Sequence, residues 1–240
     1  MKVMIFGGTT EGREETAARL NAGDGVVACV TSEYARLLLP DGARAIVRAM
    51  DEEEICAAMM GEAPDEVVDA THPFAVRVSE NIRRAAARAG LRVRRIARAN
   101  SANSAWTGDA EWVDSPEEAA RALARTRGNI LLTTGSHTLC VYARALPLER
   151  VYARVLPASN VLRLCEELKL PPGHVIAMQG PFPPALNGAL YDALGIRVLL
   201  SKDSGEQGGV RDKVLPALER DIHVVMIRMP KEEAECAEKA

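Results

Sequence analysis

Short runs of β-branched and aliphatic residues alternate along this chain with stretches in which Ala, Leu, Glu and Arg recur at helical spacing. That alternation predicts βα units and a mostly parallel sheet. In the first half, strands are expected at Lys2–Phe6, Val26–Val30, Arg44–Val47, Glu66–Asp69 and Arg92–Ile96, with helices at Gly12–Ala22, Glu52–Met60 and Ala75–Ala89. Tyr34–Leu39 ends at Pro40, which allows only a brief helix there. In the second half, strands are expected at Asn129–Thr133, Val151–Val155, His174–Met178, Arg197–Leu200 and His223–Ile227. Ser115-Pro116-Glu117-Glu118 has the form of a helix start: a serine cap, a proline in the first turn and a glutamate placed for a capping box. That helix should reach about Arg125, and Pro216 should kink or split the helix expected over Val210–Glu219.

Periodicity fails over Ala99–Asp109, where small polar residues dominate, and region 99–115 is the expected linker. The fold expected is α/β: two doubly wound, Rossmann-like parallel-sheet domains, 1–98 and 116–240, facing a central cleft. A single large sheet fits less well, because the linker is long. Aromatics are 4% of the chain, so the core must be built from aliphatic side chains.

Thirty basic residues against thirty-three acidic give a net charge of −3, without the basic excess of a duplex-binding domain. Arg92, Arg94, Arg95 and Arg98 form a local basic cluster, read mostly as solvated surface with one or two available to a ligand carboxylate. No apolar run approaches the ~20 residues of a membrane span, and the apolar start runs straight into a glycine turn, so the expectation is a cytoplasmic protein. The five cysteines are scattered and the four histidines dispersed, so neither a disulfide framework nor a structural metal is expected.

Polar and glycine-rich segments follow the C-terminal ends of the expected strands, the edge where open parallel sheets bind ligands. Gly7-Gly8-Thr9-Thr10-Glu11-Gly12-Arg13 lets the backbone turn sharply before a helix N-terminus, a place suited to phosphate. A tight βα turn without a ligand would use the same glycines. The segment has neither the full dinucleotide fingerprint nor the Lys-Ser/Thr of a nucleotide-triphosphate loop, since Arg13-Glu14 stands there. In Asp69-Ala70-Thr71-His72-Pro73-Phe74-Ala75, Pro73 suits a first helical turn and Thr71 or His72 a cap, while His72 is a candidate to donate a proton or hold an anion. Thr133-Thr134-Gly135-Ser136 offers hydroxyls beside a permissive glycine, and Gln179-Gly180 ends another strand. Lys202, Ser204, Gly205, Gly208 and Gly209 lead into the helix that carries Lys213. After the second strand, Arg36 and nearby hydroxyls suit a 2′-phosphate, whereas Glu33 suits a bare ribose.

These segments, in this order and with Pro181, Phe182 and Asn187, resemble the signature of the precorrin-6A reductases over essentially the whole chain. Asp69–Ala75 and Lys202–Gly205 are the more specific parts. The resemblance implies NADPH-dependent reduction of precorrin-6A, or of its cobalt form, to the 6B form in corrin-ring (cobalamin) synthesis, with NADH the alternative cofactor. Any metal belongs to the substrate. On this reading Gly7–Arg13 and Thr133–Ser136 bind the cofactor. Thr71, His72, Pro73, Phe74, Gln179, Gly180, Lys202, Ser204, Gly205, Gly208, Gly209 and Lys213 meet the anionic tetrapyrrole, and His72 is the candidate acid. The chain reads Asn103-Ser104-Ala105-Trp106 where the family often carries Arg-Pro-x-Trp, and Arg98 is the candidate replacement for that arginine. Partners beyond the small molecule are not expected; the oligomeric state is left open, and a monomer is compatible with it.

Two rivals follow from the same residues. A short-chain-type dehydrogenase would carry Tyr-x-x-x-Lys, yet none of the four tyrosines has a lysine four positions on. An NAD(P)-dependent reductase of another small molecule and a two-lobed cytoplasmic binding protein stay open.

Overall fold

The computed structural model describes residues 1–98, 107, 109–180, 182–205 and 208–230. It divides into two compact units, Met1–Arg98 and Ala99–Met229, with Pro230 grouped with the first. Residues 231–240, which the second domain was expected to include, lie outside the described residues.

The first unit is built from β1 (Lys2–Phe6), α1 (Thr10–Asn21), β2 (Gly25–Val30), α2 (Glu33–Leu37), β3 (Arg44–Val47), α3 (Glu52–Glu62), β4 (Glu66–Asp69), α4 (Val76–Arg88) and β5 (Val93–Arg95). Its five strands lie in the order β3-β2-β1-β4-β5, and every pairing is parallel. Both faces of β1 are covered. Met4 and Phe6 pack with Val27, Val67, Ile55, Met59 and Ile82, while Val3 and Ile5 pack with Val26, Val68 and Ala70. A strand buried on both sides reads as a continuous apolar run, as Lys2–Phe6 does. Helix α3 starts on a full capping box, in which Asp51 accepts from Glu54 N and Glu54 accepts from Asp51 N.

The second unit holds β6 (Glu111–Val113), α5 (Pro116–Ala124), β7 (Asn129–Leu132), α6 (Leu139–Ala145), β8 (Val151–Val155), α7 (Ser159–Glu167), β9 (Val175–Ala177), α8 (Pro184–Ala193), β10 (Ile196–Lys202), α9 (Val210–Leu218) and β11 (His223–Ile227). Six strands lie in the order β6-β11-β10-β7-β8-β9, again all parallel. Ser115 caps α5 through Glu118 N at 3.1 Å, with Pro116 in the first turn.

Two expectations need correcting here. Glu111–Val113, inside the stretch read as linker, forms β6 on β11. Three residues are too few to display alternation, but Val113 is buried and Trp112 packs against the core beneath the Arg228 guanidinium, 5.2 Å from its ring centre. Pro216 does not split α9, which runs through it. Proline has no N–H for the carbonyl four residues back, here Asp212. That carbonyl instead accepts from Asn187 Nδ2 at 2.9 Å, so the missing helical bond is replaced from α8.

Candidate functional site

In each sheet the chain reverses its winding direction once, between β1 and β4 in the first unit and between β7 and β10 in the second. The loops leaving those strand ends diverge, and the crevice between them is where open α/β sheets take ligands.

At the first crevice Gly7 has φ +143°, and a Cβ there would collide with the Ala70 carbonyl, so only glycine fits. Gly12 is held nearly as tightly, since its Cβ would lie 3.0 Å from Gly7 O. Thr9 joins the two loops: its hydroxyl donates to Ala70 O at 2.8 Å and accepts from Gly12 N at 3.1 Å, capping α1. Arg13 folds back onto Gly8 O and the Thr10 hydroxyl, both at 3.1 Å. Glu11 is buried beneath the first turn, and Arg98 Nη2 donates to its Oε2 at 2.5 Å. Burial raises the Glu11 pKa, but the hydrogen bond and charge of Arg98 outweigh it and hold the carboxyl below its usual value.

The loop after β4 is organised by buried Asp69. Its Oδ1 accepts from Thr71 N at 3.0 Å, Thr71 Oγ1 at 2.8 Å and Arg95 Nη1 at 2.6 Å. The Thr71 and Ser79 hydroxyls lie 3.0 Å apart. Neither Thr71 nor His72 caps α4, contrary to expectation. The helix starts one residue later than expected, Ala75 is its N-cap, and no side chain caps it. The Asp69 carboxylate has already engaged Thr71, and His72 Nδ1 accepts from Phe74 N at 3.2 Å. That bond puts the proton of a neutral His72 ring on Nε2. The basic cluster is likewise not simply solvated. Arg94 pairs with Glu66 and Glu15, Arg95 with Asp69, and Arg98 with Glu11.

After β2, Ser32 caps α2 through Ala35 N at 3.1 Å, and Arg36 Nε donates to Glu33 Oε2 at 2.5 Å. The two side chains read as rival ribose and phosphate contacts therefore pair with each other.

At the second crevice Thr133 ties β7 to β10, its N and Oγ1 both donating to Leu200 O, at 2.9 and 2.8 Å. Thr134 is buried, and Gly135 turns the chain at φ +77° toward Ser136, whose carbonyl accepts from Leu139 N. Beyond β10, Asp203 is buried, with its N donating to Ile227 O, and Ser204 N donates to Lys202 O, both at 2.9 Å. Gly208 N reaches Gly205 O at 3.0 Å, and Gly209 enters α9 at φ +64°. Burial pulls the Lys202 pKa below the usual lysine value. Lys213 lies on α9, and its carbonyl accepts from Tyr191 Oη at 2.9 Å. Gln179 and Gly180 leave β9; Pro181 lies outside the described residues.

The expected site residues are thus grouped by unit rather than by role. Gly7–Arg13 lie with Thr71, His72, Pro73 and Phe74, whereas Thr133–Ser136 lie with Lys202, Ser204, Gly205, Gly208 and Gly209. Two residues at the second crevice escaped the sequence reading as site residues. Arg154 on β8 is 8% exposed, and Asn187 on α8, seen only as part of a motif, is 0% exposed. Asn187 donates to Phe182 O, Pro183 O and Asp212 O and accepts from Arg154 Nη1 at 2.6 Å. The signal for Arg154 was a charge inside a strand later shown to be central.

A solved structure described as CobK precorrin-6A reductase superposes with a TM-score of 0.78 at 20% identity, covering 96% of this chain and 88% of that one, which establishes the fold. The cobalt-precorrin-6A reductase of Priestia megaterium is 35% identical over 95% of this chain and 91% of its own length. The precorrin-6A reductase of a Sinorhizobium species is 30% identical over 96% and 85%. The family described as precorrin-6x reductase CbiJ/CobK matches residues 2–240, and the chain belongs to it.

Proposed function

We propose that this protein is an oxidoreductase that reduces precorrin-6A, or cobalt-precorrin-6A, to the 6B form in cobalamin synthesis, using NADPH. The observation that carries the reading is the convergence of the motif loops on the switch point of each sheet, in a chain matched along 2–240 to the reductase family. A bound reduced nicotinamide supplies the hydride.

The residues fit such a cofactor. A Cβ on Gly135 or Gly209 would meet nothing within 4 Å, so the backbone there is open to a phosphate or ribose. The Gly7–Gly12 turn, locked by Thr9, brings backbone N–H groups to the start of α1. In this reading Gly7–Arg13 and Thr133–Ser136 hold phosphates and ribose, and Lys202, Lys213 and His72 receive macrocycle carboxylates. His72, which can donate from Nε2 when its ring is protonated, is the candidate acid for the carbon or nitrogen that must be protonated once hydride has been delivered. The protein acts in the cytoplasm.

The test is to mix the purified protein with NADPH and precorrin-6A and follow the absorbance of both. Matched loss of the cofactor and macrocycle bands is expected. No turnover with either macrocycle form and either nicotinamide would reject the reading, and a strong NADH preference would reject NADPH alone. His72→Ala should lower turnover and change its pH dependence. Near-normal turnover with an unchanged profile would remove His72 from the acid role.

A further inference from the structure

The face of the second sheet that α8 and α9 cover is apolar through Leu131, Tyr152, Leu199 and Val224, and changes character two residues nearer the C-terminal edge. Extending the registers Leu199↔Leu131 and Leu131↔Tyr152 by those two residues sets Ser201 on β10, Thr133 just past β7 and Arg154 on β8 abreast. Neighbouring parallel strands lie ~4.8 Å apart, so the three form a polar row beside the switch point. Thr133 is satisfied by Leu200 O, but Ser201 Oγ is buried with no hydrogen-bond partner among the described residues.

Arg154 is the unusual member. It is 8% exposed, and no carboxylate pairs with it among the described residues. One nitrogen, Nη1, donates to Asn187 Oδ1 at 2.6 Å, and the guanidinium lies 4.5 Å from the Phe182 ring centre. Nε and Nη2 have no acceptor among the described residues. Burying a guanidinium without a counter-charge is costly, and burial pulls its pKa below the usual arginine value. The surroundings nonetheless hold it in one orientation. Asn187 Nδ2 is fixed by three backbone carbonyls, which aims Oδ1 at Arg154, and Arg154 Cζ sits over the Phe182 ring. A planar fork held this way, with N–H donors left over at a ligand-binding edge, matches two oxygens of one oxyanion.

We propose that Arg154 is the oxyanion anchor of the second unit, a guanidinium positioned by Asn187 and Phe182 that grips a carboxylate or phosphate of the bound ligand. This deepens the reductase reading by assigning a specificity residue, and it rests on the second crevice being a ligand site. The shared chemistry has two sources, a phosphate of the dinucleotide or a carboxylate of the macrocycle.

The test combines steady-state kinetics of Arg154→Met and Arg154→Lys with chemical labelling of the unaltered protein. Arg154→Met should raise one KM ~10- to 100-fold, the loss expected for a charged hydrogen-bonded pair, and leave the other within about twofold. Arg154→Lys, which keeps the charge without the fork, should recover part of that loss. A shift confined to the nicotinamide KM identifies a phosphate, and one confined to the macrocycle KM identifies a carboxylate. Phenylglyoxal labelling of Arg154, read by peptide mass spectrometry, should fall when the gripping ligand is added; it needs no variant to fold. A folded Arg154→Met with both KM values unchanged overturns the proposal, and so does labelling that neither ligand alters. Should the unaltered protein lack turnover, Arg154 protection by NADPH or by the macrocycle would sustain the anchor while the reductase reading fails.

Discussion

Asn187 and Pro216 should be energetically coupled, although they sit on different helices. In Asn187→Leu the Asp212 carbonyl loses the amide that reaches it at 2.9 Å, and Pro216 supplies no helical N–H in its place. A buried carbonyl left without a donor costs about 1–3 kcal/mol. Removing the 2.6 Å acceptor of Arg154 adds roughly 1.5–3 kcal/mol. The longer contacts to Phe182 O and Pro183 O, at 3.2 and 3.3 Å, contribute less. The expected loss is therefore about 3–5 kcal/mol. Pro216→Ala restores an N–H four residues beyond Asp212. In that background the same Asn187→Leu change should cost about 1–2 kcal/mol less. The assay is a double-mutant cycle on the full chain. Amide exchange in α9 and β10 should report on the second unit separately, because two units need not unfold in one step. Additivity within about 0.3 kcal/mol would refute the reasoning, since Asn187 would then not be serving the carbonyl that proline leaves open.

Gly7→Ala should destabilise the first unit by several kcal/mol or prevent its folding, because the obstacle is the Ala70 backbone, whereas Gly135→Ala should cost only about 1–2 kcal/mol of left-handed strain; thermal melts of the two would separate them. The Glu11 carboxyl has its pKa lowered in the folded state, so its stabilisation is present above the ordinary glutamate value of about 4.3 and is lost as pH falls through the lower folded value. Glu11→Gln should therefore flatten the acid side of a melting-temperature profile, and an unchanged acid slope would count against the Arg98 pairing. Because burial lowers the Lys202 pKa, affinity for the anionic macrocycle should start to weaken at a pH below that of an ordinary lysine, and Lys202→Arg should move that loss to higher pH; identical pH profiles would refute a charged contact there.

Much of the framework was legible because buried parallel strands announce themselves. Lys2–Phe6, Arg44–Val47, Glu66–Asp69, Val151–Val155 and His223–Ile227 form strands over the residues expected. Three-residue β6 carried too little pattern to read, and its place depends on β11, far along the chain. The strand Val151–Val155 was found, but not what lies over it: α8 covers the face that carries Arg154 and buries the arginine against Asn187. Periodicity gives the side of a strand, and only topology gives what lies over it. The loops at the strand ends were legible from glycine and hydroxyl content, whereas the internal bonds of Arg95, Arg98 and Arg36 were not, since ion pairs between distant segments leave no local signature.

The position of β6 at one rim of its sheet has a consequence for synthesis. It is the earliest strand of the second unit to leave the ribosome, yet it pairs with the last, and the Glu111–His223 contact spans 112 residues. In the first unit the contact that closes the crevice, Thr9 to Ala70, spans 61. Closing longer loops is slower, so the sheet of residues 1–98 can mature while the second unit is still being translated. Until β11 arrives, β10 presents an open edge of unpaired backbone N–H and C=O groups, and this interval is when the nascent chain most needs protection from pairing with its neighbours.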